Sequence, residues 1–356
     1  RAARLITPGN FEDHMELLSD CDWIIEAVIE RLVIKHQVYE KVDAVRKPDS
    51  IVSSNTSTIP LARLLEGASD ALAQDFLVTH FFTPPRYMRL LAIVAGAATR
   101  PEAVAAVSDF CDRRLGKAVV DCKDTPGFIA NRIGTFWIDI GSRQAMEGGL
   151  TVEEADSVAG KPIGFPKTGI FGLIDLVGID LMPHIAESLL EELPADDAYR
   201  DVYQESELIN KMIETGYTGR KGKGGFYRLD RSGGRKQKQA LDFETGEYRD
   251  VVKPRLASVR AARKGGLRAL VEHTDRGGRY AWSMLSQTLA YAASLVPEIA
   301  DDVARVDEAM RTGYAWKYGP FELLDRLGPA WFSQRLEAEG RPVPPLLEAV
   351  GDGTFY

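Results

Sequence analysis

The sequence is short of cysteine, of long apolar runs and of basic excess, and each shortage removes a class of protein. Its 356 residues hold three cysteines, Cys21, Cys111 and Cys122, an odd number without metal-ligand spacing. A disulfide scaffold and a cysteine-built zinc site are therefore excluded, and a reducing cytoplasm is expected. The longest apolar runs, Trp23 to Ile29 and Leu90 to Ala98, fall far below the roughly 20 residues that span a bilayer. No signal-peptide pattern opens at Arg1. A net charge of −8 and a pI near 5.4 leave no broad basic face for nucleic acid. Local basic patches could still hold a phosphorylated small molecule.

What is present is an ordinary globular composition, 45% hydrophobic and 27% charged, long enough to bury a full core in two or three domains. From Arg1 to about Lys123, β-rich runs (Trp23 to Val28, Ser50 to Ser54, Phe76 to Phe82, Leu90 to Val94, Lys117 to Asp121) alternate with helical patterns at Leu32 to Val45 and Arg100 to Leu115. Such alternation predicts a parallel α/β sheet of the doubly wound, Rossmann type. The domain is partial: no glycine-rich strand-to-helix turn precedes its first strand, although dinucleotide folds normally open on one.

After Pro126-Gly127 the pattern becomes helical, with Phe128 to Glu147, Thr151 to Ala159 and Ile179 to Glu192 as helices. A repeat emerges between Gly169-Ile170-Phe171-Gly172-Leu173-Ile174-Asp175-Leu176-Val177-Gly178 and Gly319-Pro320-Phe321-Glu322-Leu323-Leu324-Asp325-Arg326-Leu327-Gly328. Their leading aspartates, Asp156 and Asp307, differ by one residue in spacing, so the helical domain is duplicated. The expected divisions are 1–124, 125–228, a linker and hairpin at 229–275, and 276–356. The glycine-rich stretch Thr218 to Tyr227, Arg231-Ser232-Gly233-Gly234 and the polar residues to Asp250 read as loop and hairpin. Lys253 to Arg268 reads as a basic helix, either a solvated face or a binding patch.

His80 ends a strand in an α/β domain, where ligands bind beyond the carboxyl ends. An imidazole titrates near neutrality and can take a proton from a substrate hydroxyl. Ser57 follows Asn55-Thr56 at another strand end; its hydroxyl can bond a substrate oxygen, or cap the helix from Leu61. Asn131 opens the first long helix, where its amide can hold a carbonyl or the imidazole, or bond the helix start.

Four segments, Ser54-Asn55-Thr56-Ser57, His80-Phe81-Phe82, Asp124-Thr125-Pro126-Gly127-Phe128 through Asn131-Arg132, and Tyr318-Gly319-Pro320-Phe321-Glu322-Leu323-Leu324-Asp325, resemble the L-3-hydroxyacyl-CoA dehydrogenases of fatty-acid β-oxidation. The resemblance implies oxidation of an L-3-hydroxyacyl-CoA to the 3-ketoacyl-CoA with NAD, His80 as general base, and Ser57 and Asn131 on substrate and imidazole. It places Glu30, Lys35, Asn55, Ser57, Thr83 and Lys221 around the cofactor, although Glu30 and Lys35 also read as solvated helix-start charges. The duplicated helical domain is similar to that of multifunctional β-oxidation enzymes, in which an enoyl-CoA hydratase shares the chain. In single-copy relatives that domain mediates dimerisation, so Phe128 to Leu190 and Tyr280 to Leu336 are expected to pack together as an intrachain pseudo-dimer.

Two departures bear on activity. The family has a glutamate twelve residues after the histidine, and here that position is Ala92; the family's asparagine after His-Phe-Phe is Thr83. An alanine cannot orient the imidazole, a loss worth on the order of 10²- to 10⁴-fold in rate. Without the glycine-rich loop a pyrophosphate loses its usual amide cradle, and the chain reads as part of a longer polypeptide or as an incomplete gene product. The alternatives are an impaired acyl-CoA-binding or scaffolding segment, and a dehydrogenase of a smaller β-hydroxy acid or of carnitine.

Overall fold

The computed structural model describes residues 2–231 and 236–356; the expected turn at Ser232-Gly233-Gly234 lies outside the described residues. The chain forms two compact units, Arg1–Phe128 and Ile129–Tyr356.

In the first unit β1 (Trp23–Glu26), α1 (Leu32–Val45), β2 (Ile51–Ser54), the short α2 (Leu61–Leu64) and α3 (Asp70–Asp75), β3 (Phe76–Phe81), β4 (Leu90–Ala95), α4 (Pro101–Leu115) and β5 (Ala118–Cys122) follow in order. The strands line up as β1-β2-β3-β4-β5. Side chains alternate faces along a strand, so the sheet sorts its apolar residues into two layers. Val52, Phe76, Val78 and Val94 pack with Tyr39 and Val42 of α1, while Leu77, Leu91 and Ile93 pack with Val107 and Cys111 of α4. Helix α4 starts with proline at its first turn and ends on Gly116 at φ 67°, a left-handed stop that costs glycine least.

The expected parallel α/β sheet is borne out in three of its four strand pairs. The sheet is mostly parallel, but β3 and β4 run antiparallel. Only residues 82–89 join them, too few for the crossover of a dozen or more residues that parallel strands need.

The second unit contains α5 (Ala130–Glu147), α6 (Val152–Val158), α7 (Phe171–Val177), α8 (Leu181–Glu192), α9 (Tyr199–Val202) and α10 (Glu207–Glu214), then β6 (Tyr227–Asp230), β7 (Gln237–Leu241) and β8 (Tyr248–Asp250). Helices α11 (Ala257–Val271), α12 (Arg276–Ser294), α13 (Val303–Gly313), α14 (Pro320–Leu327), α15 (Pro329–Ala338) and α16 (Pro345–Val350) complete it. The stretch expected as loop and hairpin forms a three-stranded antiparallel sheet, β6-β7-β8. Its strands are polar and partly exposed, so they carry little of the apolar alternation that marks a strand.

The repeat reaches down to individual hydrogen bonds. Asp156 accepts from the amides of Phe171 and Gly172 at 2.9 and 3.1 Å and from the Tyr227 hydroxyl at 2.9 Å. Asp307 accepts from Phe321 and Glu322 at 2.8 and 2.9 Å and from the Tyr356 hydroxyl at 3.0 Å. A second aspartate repeats the pattern: Asp175 takes the amides of Phe226 and Tyr227, and Asp325 those of Phe355 and Tyr356. Asp156 and Asp307 thus satisfy helix-start amides, and Asp175 and Asp325 amides of a strand start and of the C-terminal segment, that would otherwise be orphaned. Close approach explains the glycines that lead both copies, since a Cβ on Gly169 or Gly319 would stand 2.3 Å from the nearest atom of Asp156 or Asp307. The copies meet where α5 packs on α12, with Phe136 stacked on Tyr291 at 4.1 Å.

Candidate active site

The carboxyl ends of β1, β2 and β3 converge on one polar cluster. Glu26, the last residue of β1, is buried and accepts from Lys35 Nζ at 2.9 Å, the Tyr39 hydroxyl at 2.7 Å and the Ser54 hydroxyl at 2.7 Å. Lys35 is 1% exposed and reaches a second carboxylate, Glu30 Oε2, at 3.1 Å. Glu30 in turn holds the loop after β2, accepting from the Thr56 hydroxyl at 2.5 Å and the Ser57 amide at 2.9 Å. Burial alone would raise the Glu30 carboxyl; the Lys35 charge and these hydrogen bonds prevail and hold it below the ordinary range. The relay Glu26–Lys35–Glu30 thereby ties the ends of β1 and β2 to the loop that carries Ser57.

His80 occupies β3 one residue before its end. Its Nδ1 lies 3.3 Å from the Asn55 carbonyl oxygen, and the Asn55 side chain accepts from the Phe81 amide at 3.0 Å. The ring packs edge-on to Phe82 at 4.9 Å and against Phe128 at 6.4 Å. A carbonyl accepts, so Nδ1 carries the proton in that contact. Burial holds the imidazole below its ordinary pKa, with the Asn55 hydrogen bond and the Glu30 charge offsetting part of the effect. Directly across the antiparallel pair, in register with His80, stands Ala92. Such facing residues have Cα atoms roughly 4.5–5.5 Å apart, so a carboxylate at 92 would meet the imidazole and a methyl group cannot.

Thr83 is exposed at the start of the loop to β4. Lys117 ties that loop down, donating to the carbonyls of Pro85 and Met88. Asn131 and Lys221 belong to the second unit; the Asn131 side chain accepts from the Tyr314 hydroxyl at 3.5 Å, and Lys221 is exposed between α10 and β6. His80, Ser57, Asn55, Glu30 and Lys35 are therefore brought together in the first unit. Sequence reading missed Glu26, Lys117 and Asp124 as supports. An acid inside the apolar run Trp23-Ile24-Ile25-Glu26 was the available signal for the first. Asp124, in the motif before Pro126-Gly127, caps α2 through the amides of Leu61 and Ala62.

Three backbone amides at these strand ends are not open to a cofactor phosphate. The amides of Ser57, Leu61 and Ala62, which could have cradled an anion, are already taken by Glu30 and Asp124.

An α/β unit with a histidine near a strand end is followed by a duplicated helical unit, the two-part arrangement of a dinucleotide-binding domain with a helical partner domain. Residues 1–125 match the 3-hydroxyacyl-CoA dehydrogenase NAD binding domain, and residues 127–229 and 279–345 match the C-terminal domain of the same family. The chain belongs to the 3-hydroxyacyl-CoA dehydrogenase family. It is 44% identical over 90% of its length to a Rickettsia felis protein named as a fatty acid oxidation complex trifunctional enzyme. It is 40% identical over 99% of its length to a Bacillus subtilis protein named as a 3-hydroxyacyl-CoA dehydrogenase. It spans 44% and 45% of those two proteins, under half their length. The crystal structure of Escherichia coli 3-hydroxybutyryl-CoA dehydrogenase shares the fold, with a TM-score of 0.67 at 22% identity over 94% of this chain and 82% of that one. No helix among the described residues is long and apolar enough to cross a membrane.

Proposed function

We propose that this chain supplies the dehydrogenase step of fatty-acid β-oxidation, converting an L-3-hydroxyacyl-CoA to the 3-ketoacyl-CoA in the cytoplasm. NAD, when bound, accepts the hydride. His80 Nε2 takes the hydroxyl proton, with Nδ1 steadied by the Asn55 carbonyl. Ser57 and Asn131 hold the substrate oxygen and the imidazole, while Glu30, Lys35, Asn55, Thr83 and Lys221 serve the cofactor side, Lys35 acting through Glu30. Turnover is slow because Ala92 offers the imidazole no carboxylate. The observation that carries the reading is the placement of His80 near the end of β3, its Nδ1 on the Asn55 carbonyl at 3.3 Å, beside the Ser57 loop that Glu30 holds.

A hydratase activity elsewhere on the same polypeptide, or on an associated one, would supply the hydroxyacyl substrate, since hydration of an enoyl thioester yields it. Packing of α5 on α12 supports the intrachain pseudo-dimer. The second reading, an impaired acyl-CoA-binding or scaffolding segment, draws on Ala92 and on the amides already occupied at the strand ends. Calorimetry with NAD and with acetoacetyl-CoA, paired with turnover of wild type and His80→Gln, tests both. Binding of both ligands with turnover lost in His80→Gln supports the enzyme; acyl-CoA binding without NAD binding or turnover supports the scaffold.

A further inference from the structure

The second unit holds a cleft of about 990 Å³ between the loop that joins α6 to α7 and the segment that leads into α11. Six cations surround it, Lys161, Lys167, Lys253, Arg255, Arg260 and Arg263. All six are exposed, in a chain whose net charge is −8. None of their side chains makes an ion pair or hydrogen bond with another described residue. Their neighbours behave differently: Arg249 pairs with Glu153 at 2.8 Å, Arg268 with Glu272 at 2.9 Å and Arg276 with Glu154 at 2.5 Å. The one carboxylate in the lining, Asp156, is buried and already accepts from Phe171, Gly172 and Tyr227. Positive charge is thus concentrated and left uncompensated on one concave surface.

We propose that this cleft binds the phosphorylated nucleotide end of a coenzyme A thioester. The inference rests on the acyl-CoA reading above and adds to it a site built wholly from the second unit. Three arguments select this ligand chemistry. Cations spaced along two walls suit several phosphate groups on one molecule, and arginine forks grip phosphate oxygens in pairs. The volume lies within the roughly 300–1,000 Å³ of small-molecule sites, far larger than a single inorganic anion needs. Pro162, Pro254 and Val259 line the same cleft and offer apolar surface to the face of a purine.

Binding to the full chain is measured by calorimetry with coenzyme A, adenosine 3′,5′-bisphosphate and inorganic phosphate, with phosphatidylglycerol vesicles as a further probe. The proposal expects the bisphosphate to bind far more tightly than inorganic phosphate, and binding to weaken as salt screens the cations. Arg260→Gln with Arg263→Gln should weaken it about tenfold or more without moving the melting temperature. Binding should persist in His80→Gln, which separates failure of this site from failure of the dehydrogenase reading. No bisphosphate binding, equal affinity for inorganic phosphate, binding untouched by the double substitution, or vesicle binding through the same arginines that the bisphosphate does not displace would each overturn it.

Discussion

Replacing Ala92 with glutamate places a carboxylate at the position that faces His80 across β3 and β4. With Cα atoms roughly 5 Å apart, the imidazolium and carboxylate attract by about 3 kcal/mol at an effective dielectric of about 20, or about two pKa units. Desolvation of the new acid, at a site now 3% exposed, returns part of that, leaving a net rise of about one unit. Wild-type His80 titrates below its ordinary 6.5 because it is buried. Proton NMR of the His80 ring should therefore show a midpoint below 6.5 in wild type and about one unit higher in Ala92→Glu. NADH consumption with acetoacetyl-CoA should rise on the order of 10²-fold, with the acidic limb of the oxidation rate moving to higher pH. Ala92→Gln should give part of the rate without moving the limb. A folded Ala92→Glu protein whose imidazole midpoint and turnover both match wild type would refute the claim that position 92 addresses His80.

Lys35→Met strands Glu26 and Glu30 without their shared cation and should cost about 3–5 kcal/mol, read as a melting drop on the order of 10 °C. Asp307→Ala orphans the amides of Phe321 and Glu322, and urea unfolding should show a loss of about 2–6 kcal/mol at unchanged m-value. Burial raises Asp156 from 3.8 to about 7 and Asp307 from 3.8 to about 6, so the folded state holds protons that the unfolded chain has released. Their contribution is complete below pH 3.8 and is lost as pH rises through about 6 to 7. Stability curves across that window should flatten in Asp156→Asn; an unchanged slope would count against the assignment.

Helix α1 was legible to the residue, and the strands to within a few positions, because apolar spacing encodes them. Strand direction was not: the unbroken apolar run Leu90 to Val94 reads the same in either sense, and only the eight-residue link, residues 82–89, argues for antiparallel. Among the candidate residues, the positions of His80 and Ser57 near the ends of β3 and β2 were legible because each lies where a β-run gives way to a loop. Lys35 shows what spacing leaves out. Its place at the start of a helix suggests a solvated charge, and only the fold reveals Glu26 nine residues back, buried beside it. The aspartate locks were half visible, since Asp156 and Asp307 mark the repeat while their partners Tyr227 and Tyr356 lie far down the chain.

The α5–α12 contact joins two parts of one polypeptide, so its occupancy is set by effective concentration and not by how much protein is present. An interface between separate chains loosens by mass action on dilution. Here Phe136 and Tyr291 remain stacked at any protein level, and the two copies can lose their likeness elsewhere, because neither needs to recognise an identical partner.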